Sequence, residues 1–190
     1  MNEIFAAALE IQGFCRARDW RFCFIGGLAV QRWGEPRLTR DVDLTLLTGF
    51  GDEARYVDEL ITGFSIRIPD ARDFALRHRV ALLTSSAGIP IDIALGAMPF
   101  EEGAIGRASG FQVAVDASLT TCSAEDLIVF KAFAGRDRDW ADIEGILSRQ
   151  GPRLDEALVW HELLPLLDLK EDAATESRLR RLVLDQTPPR

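Results

Sequence analysis

The sequence is poor in the residues that most often build metal and redox centres, with two histidines and three cysteines. His78 and His161 lie in different halves and share no ligand spacing. Cys15, Cys23 and Cys122 are scattered and odd in number, which excludes a disulfide framework or a zinc ribbon and leaves reduced, structural thiols. No apolar run approaches the roughly 18 residues of a membrane span. The start, Met1-Asn2-Glu3-Ile4, has no basic n-region and no cleavage site, so no secretory leader is expected and the cytoplasm is the expected compartment. Positive charge is also scarce. Against 30 acidic residues stand 22 basic ones, a net charge of −8. A protein that coats duplex nucleic acid draws its affinity from phosphate neutralisation and carries the opposite sign. Broad duplex binding is therefore excluded, with room left for a small basic patch docking one RNA.

What is present is an ordinary globular composition, 47% hydrophobic and 27% charged over 190 residues. That suffices for one core, or one domain with a helical extension. Residues 3–18 read as an amphipathic helix with Ile4, Leu9 and Ile11 inward. Arg21 to Ile25 form a short apolar strand closed by Gly26-Gly27, with a short helix over 27–33. A second strand covers 42–47, and residues 52–62 form a helix with Tyr56, Leu60 and Ile61 inward. Strand-like runs follow at 64–68, 79–85, 89–95 and 111–115. Ser123 with Asp126 resembles a capping box, and four helices fill 124–184, broken at Gly135, Gly151-Pro152 and near Asp168. The expected division is an α/β part, 1–120, and a helical part, 121–190, with one compact unit as the alternative.

Three features carry chemistry. A double glycine after a strand lets backbone approach a ligand and frees helix-start N–H groups for phosphate oxygens; a plain tight turn is the simpler reading. In Asp41-Val42-Asp43 the acids are two apart, so on a strand both side chains share a face, about 7 Å apart at Cα. Such a pair repels unless a cation sits between, and Mg²⁺ takes hard oxygen ligands of this kind; two solvated edge-strand acids are the alternative. Asp92 is the one acid in the apolar run Ile89 to Leu95. There it is either coordinated or faces out from an edge strand.

Taken in order, the glycine pair, thirteen further residues, Asp-x-Asp and a later single Asp resemble the signature of the nucleotidyltransferase superfamily. The resemblance implies an α+β nucleotidyltransferase fold, a small mixed β-sheet flanked by helices, with a C-terminal helical region. It implies that Asp41, Asp43 and Asp92 hold Mg²⁺ (or Mn²⁺) with a nucleoside triphosphate, Asp92 also activating the acceptor hydroxyl. Many members have serine where this chain has Gly27, which weakens the expected phosphate grip. The string Arg37-Leu38-Thr39-Arg40-Asp41-Val42-Asp43 and the later helix pair from Ala124 to Lys131 and Ala134 to Ile143 resemble AbiEii-like nucleotidyltransferases, a family of abortive-infection toxins. From these resemblances Gly26, Gly27, Thr39, Arg40, Lys131, Asp139 and Asp142 are expected to bind nucleotide, and Lys131, on a triphosphate oxygen, is expected to be catalytic together with Asp41, Asp43 and Asp92. By residue type alone, Lys131 snorkels or pairs with Asp139, and Asp139 and Asp142 form an ion network with Arg136 and Arg138. The implied acceptor is tRNA or protein, with a cognate antitoxin as partner. An antibiotic acceptor of aminoglycoside type and a silent nucleotide- or partner-binding member are the competing readings.

Overall fold

The computed structural model describes residues 2–186. Met1 and residues 187–190, the outer ends of the two expected parts, lie outside the described residues. The chain divides into two compact units, Met1–Leu28 with Leu38–Cys122, and Ala29–Arg37 with Ser123–Arg190. The seam falls at Cys122/Ser123, two residues beyond the expected division. The excursion of 29–37 into the second unit had no signal in the sequence.

In the first unit the chain runs α1 (Glu3–Arg16), β1 (Phe22–Phe24), the start of α2 (Gly26–Trp33), β2 (Val42–Leu47), α3 (Glu53–Gly63), β3 (Ser65–Ile66) and α4 (Ala71–His78). It continues through β4 (Val80–Thr84), β5 (Pro90–Gly96), α5 (Pro99–Arg107), β6 (Ser109–Ala114) and β7 (Ala117–Thr121). The seven strands form one mixed sheet in the order β3-β4-β5-β2-β1-β7-β6. Strands β2 and β5 pair in parallel at its centre, and β2 pairs antiparallel with β1. On one face, Val42, Leu44 and Leu46 of β2 and Ile91, Ile93 and Leu95 of β5 join Ile4, Ile11, Val57 and Leu60 in the core. Each such aliphatic side chain stabilises by about 1.5–3 kcal/mol when taken from water. The opposite face of the same strands carries Asp43 and Asp92. Alternation along two central strands thus separates the core from the chemistry.

The elements α4, α5 and β7 were not expected. Helix α4 is short and buries only Ala71 and Ala75, so it leaves no apolar stripe to read. Helix α5 carries Gly103 and Gly106, which lower its propensity, yet its start is well made. Pro99 stands in its first turn, and Glu101 accepts from the N–H groups of Ala97 and Met98 at 2.8 and 2.9 Å.

The second unit holds the rest of α2, then α6 (Ala124–Ala134), α7 (Asp137–Gln150), α8 (Glu156–Lys170) and α9 (Ala173–Gln186). The expected cap is present: Ser123 Oγ accepts from the Asp126 N–H at 3.1 Å and donates to its carboxylate at 2.8 Å. The last break falls at Glu171-Asp172, a few residues later than expected. Residues 29–37 are held from α7. Gln150 Nε2 donates to the Trp33 carbonyl at 2.6 Å, and Arg149 Nη1 donates to that of Gly34. Among the described residues no helix is long and apolar enough to cross a membrane.

All three cysteines are buried without a disulfide. Burial pushes the Cys15 thiol up to about 12, against the pull of the Arg18 charge. Native protein at pH 8 is therefore expected to resist iodoacetamide, with labelling only as fast as unfolding. Mass spectrometry checks this, and full alkylation within minutes would contradict the buried placement.

Candidate active site

The candidate site is built around the end of β1. Ile25 donates its N–H to the Asp43 carbonyl at 3.0 Å, and the chain then turns through Gly26, at φ +57°, into α2. That left-handed conformation suits glycine, and space requires it as well. A Cβ on Gly26 would lie 2.1 Å from Asp43 Oδ2, and one on Gly27 would lie 2.3 Å from Thr39 Oγ1. Each glycine thus marks a place where a polar side chain crosses the helix start. The first-turn N–H groups of α2 have no intrahelical partner by construction, which makes this end a phosphate-sized donor set.

The acids come together by register. In the parallel pair β2–β5, Asp43 is the lateral partner of Asp92, so the two share a face at a strand spacing of about 4.8 Å. Asp41 sits one residue ahead of β2 rather than within it. Its carboxylate Oδ1 accepts from Thr39 Oγ1 at 3.0 Å, and Thr39 is buried. The expected strand pairing of Asp41 with Asp43 is therefore replaced by a bend held by Thr39, with Asp92 beside Asp43. Arg40 is exposed in the same bend.

Asp92 is only partly buried, its side chain 34% exposed. Arg67 Nη2 lies 2.6 Å from its Oδ1. That oxygen is nonetheless buried with no donor directed at it in hydrogen-bond geometry, so the contact is ionic. Burial raises the Asp92 carboxyl above its ordinary range; the Arg67 charge lowers it, and the Asp41 charge raises it further. Arg67 was not among the expected residues, because only strand register brings it to Asp92.

Among the described residues no three His, Cys, Asp or Glu side chains are already assembled as a metal site. The donor set still fits Mg²⁺. It consists of hard oxygens, one of them a buried carboxylate oxygen without a hydrogen bond, with the Asp43 carboxylate packed against the backbone of Gly26. Mg²⁺ takes one or two protein carboxylates and completes its shell with phosphate and water. A hollow of about 650 Å³ lined by Ile61, Phe64, Ile66 and Pro69 contains none of the expected site residues.

The remaining expected residues form a cluster of their own in the second unit. Lys131 Nζ lies 2.8 Å from Asp139 Oδ1 and 2.7 Å from Asp142 Oδ2. Arg37 grips Asp142 with two hydrogen bonds, Nε at 2.6 Å and Nη2 at 2.8 Å, and Arg136 Nε donates to Asp139 at 2.7 Å. Lys131, Asp139 and Asp142 are each buried. Burial alone would raise both carboxyls, but the hydrogen bonds and charges of Lys131 with Arg136 (Asp139) or Arg37 (Asp142) outweigh it and hold them below their ordinary range.

No family model and no curated protein matches the sequence. Among solved structures, it is similar to the antibiotic-resistance factor ANT(2'')-Ia, with 17% identity and a TM-score of 0.53 over 93% of this chain and 97% of that one. An antigenic nucleotidyltransferase-like protein from Paracoccidioides brasiliensis is 14% identical, with a TM-score of 0.51 over 90% of this chain and 89% of that one. The lincosamide antibiotic adenylyltransferase LnuA, solved with lincomycin bound, is 12% identical, with a TM-score of 0.47 over 74% and 94%. The chain has the nucleotidyltransferase fold, α+β as expected.

Two outcomes are expected. Gly26→Ala forces a side chain onto Asp43 and a β-carbon into left-handed backbone, costing about 2 kcal/mol in urea unfolding; an unchanged midpoint would refute the close approach. Lys131→Met leaves two buried carboxylates short of a cation and costs about 3 kcal/mol at pH 7. Asp139 and Asp142 are depressed, so their stabilisation is present above the unfolded pKa of about 3.9 and lost as pH falls through the lower folded values. The gap between wild type and Lys131→Met should accordingly narrow below that pH. A gap constant from pH 7 to pH 2.5 would contradict the network.

Proposed function

We propose that this chain is a Mg²⁺-dependent nucleotidyltransferase (Mn²⁺ serving in its place) that moves a nucleoside monophosphate from a nucleoside triphosphate to a hydroxyl. The observation that carries the reading is the lateral register of Asp43 with Asp92, the Asp43 carboxylate packed against the backbone of Gly26. The divalent cation would be held by Asp41, Asp43 and Asp92, and would neutralise charge on the triphosphate and the departing pyrophosphate. The chain's own groups do the rest. Gly26 and Gly27 bring phosphate against the first turn of α2. Thr39 fixes the Asp41 carboxylate by its 3.0 Å hydrogen bond, and exposed Arg40 offers charge to the nucleotide. Asp92 takes the proton of the acceptor hydroxyl as it attacks the α-phosphorus in line; a carboxyl raised above its ordinary range is the better base.

Lys131, Asp139 and Asp142 are assigned to nucleotide binding by resemblance, Lys131 giving its charge to a triphosphate oxygen in exchange for a carboxylate. The same resemblance to AbiEii-like proteins makes a tRNA end or a protein hydroxyl the acceptor, in a cytoplasmic toxin with a cognate antitoxin. A second reading takes a cationic antibiotic of aminoglycoside type. The net charge of −8 favours it, because an acidic protein concentrates cations, and the similar ANT(2'')-Ia is itself an antibiotic-resistance factor.

The test is label transfer from each α-³²P nucleoside triphosphate with Mg²⁺, in cell extract and separately with an aminoglycoside panel. Asp43→Ala is expected to abolish transfer while remaining folded by circular dichroism. RNase-sensitive, protease-sensitive or drug-bound label would name the acceptor. Undiminished turnover by folded Asp43→Ala would sink the assignment. Absence of triphosphate binding by wild type would favour a silent member of the fold.

A further inference from the structure

We propose that Arg67 is the resident counter-cation of the carboxylate cluster, holding Asp92 until a divalent cation takes its place; this rests on the metal-dependent reading above. Register supplies the first ground. Ile66 of β3 pairs with Leu83, and the Arg67 N–H donates to the Leu82 carbonyl at 3.2 Å. Leu82 pairs with Asp92, and Asp92 with Asp43. One row across the sheet therefore reads Arg67, Leu82, Asp92, Asp43. Arg67 spans one strand to reach the carboxylate, roughly two strand spacings of 4.8 Å from backbone to backbone. A long cationic side chain is needed there.

The manner of contact supplies the second ground. Arg37 holds Asp142 through two directed hydrogen bonds, and the Asp142 side chain is only 4% exposed. Arg67 meets Asp92 through a single 2.6 Å contact at Oδ1, and the two side chains are 28% and 34% exposed. The first pair is a clamp. The second is a single contact between partly exposed side chains, so it is the more readily exchanged.

Charge supplies the third. Asp41 is close enough to be felt at Asp92, and Asp43 is its lateral neighbour. Such a group of acids needs positive charge at all times. Arg67 supplies it in the metal-free protein and swings toward solvent as the divalent cation arrives.

The experiment is a Mn²⁺ titration of the whole chain without nucleotide, read by the electron paramagnetic resonance of free Mn²⁺. Wild type, Arg67→Met, Asp92→Asn and the double variant form a cycle. Arg72→Met, which removes an exposed arginine paired with Asp58, measures the effect of net charge alone. Arg67→Met is expected to bind Mn²⁺ roughly tenfold tighter than wild type, a coupling usual for residues in contact. In the Asp92→Asn background the same change should do no more than Arg72→Met. Should Arg67→Met fail to fold, Arg67→Lys, which keeps charge and loses the fork, should show the same sign at smaller size. Mn²⁺ affinity unchanged or weakened in a folded Arg67 variant, or raised only as far as in Arg72→Met, would overturn the proposal and leave the metal reading standing. Absence of Mn²⁺ binding in every variant would overturn both. Binding that appears only once Arg67 is removed would support it.

Discussion

Two carboxylates of like charge, Asp43 and Asp92, face the same way on adjacent parallel strands at the centre of the sheet. The Asp41 charge is felt at Asp92 as well, and much of the first unit's local geometry serves to place these acids. Gly26 lacks a side chain because Asp43 fills the space, and Gly27 lacks one because Thr39 does. Thr39 in turn fixes Asp41, which lies outside the strand and would otherwise be loosely placed. The apolar face of the same strands carries the core, so moving either acid by one residue would bury a charge and expose an aliphatic side chain. Site and core therefore share one register.

The second unit is arranged differently. Its acids, Asp139 and Asp142, are buried, and their charge is matched on the spot by Lys131, Arg37 and Arg136. A buried network of this kind loses more when one member is removed than any member contributes alone, because the remaining charges stay desolvated. The cluster of the first unit differs in exposure: the Asp92 side chain is 34% exposed, against 4% for Asp142.

Much of this was legible in the sequence where the signal was local. Strand β2 was expected at its observed limits, because Val42 to Leu47 is an unbroken apolar run apart from Asp43 and Thr45. The start of α6 was legible from Ser123 and Asp126, and the glycine pair from its place directly after a strand. What escaped was non-local or weakly patterned. Helix α4 buries two alanines and offers no stripe, and α5 is diluted by glycine. The sequence paired Asp41 with Asp43 along the chain, whereas the sheet places Asp92 beside Asp43 across strands β5 and β2. Arg67 escaped for the same reason: its partner lies two strands away, and nothing in Phe64 to Ile68 announces it. The local spacing of Lys131, Asp139 and Asp142 was visible, but the matching arginine, Arg37, lies about a hundred residues earlier.

The excursion of residues 29–37 has a bearing on how such a chain can change. Trp33, Gly34 and Arg37 take hydrogen bonds from, or give them to, side chains of α7, although they belong by sequence to the half that bears the acids. The helical unit is therefore encoded in two separated stretches. Recombination that exchanged everything after residue 122 as a cassette would hand Arg37 a stranger in place of Asp142. The two stretches can diverge only in concert, and a lineage that replaced one would have to replace the other.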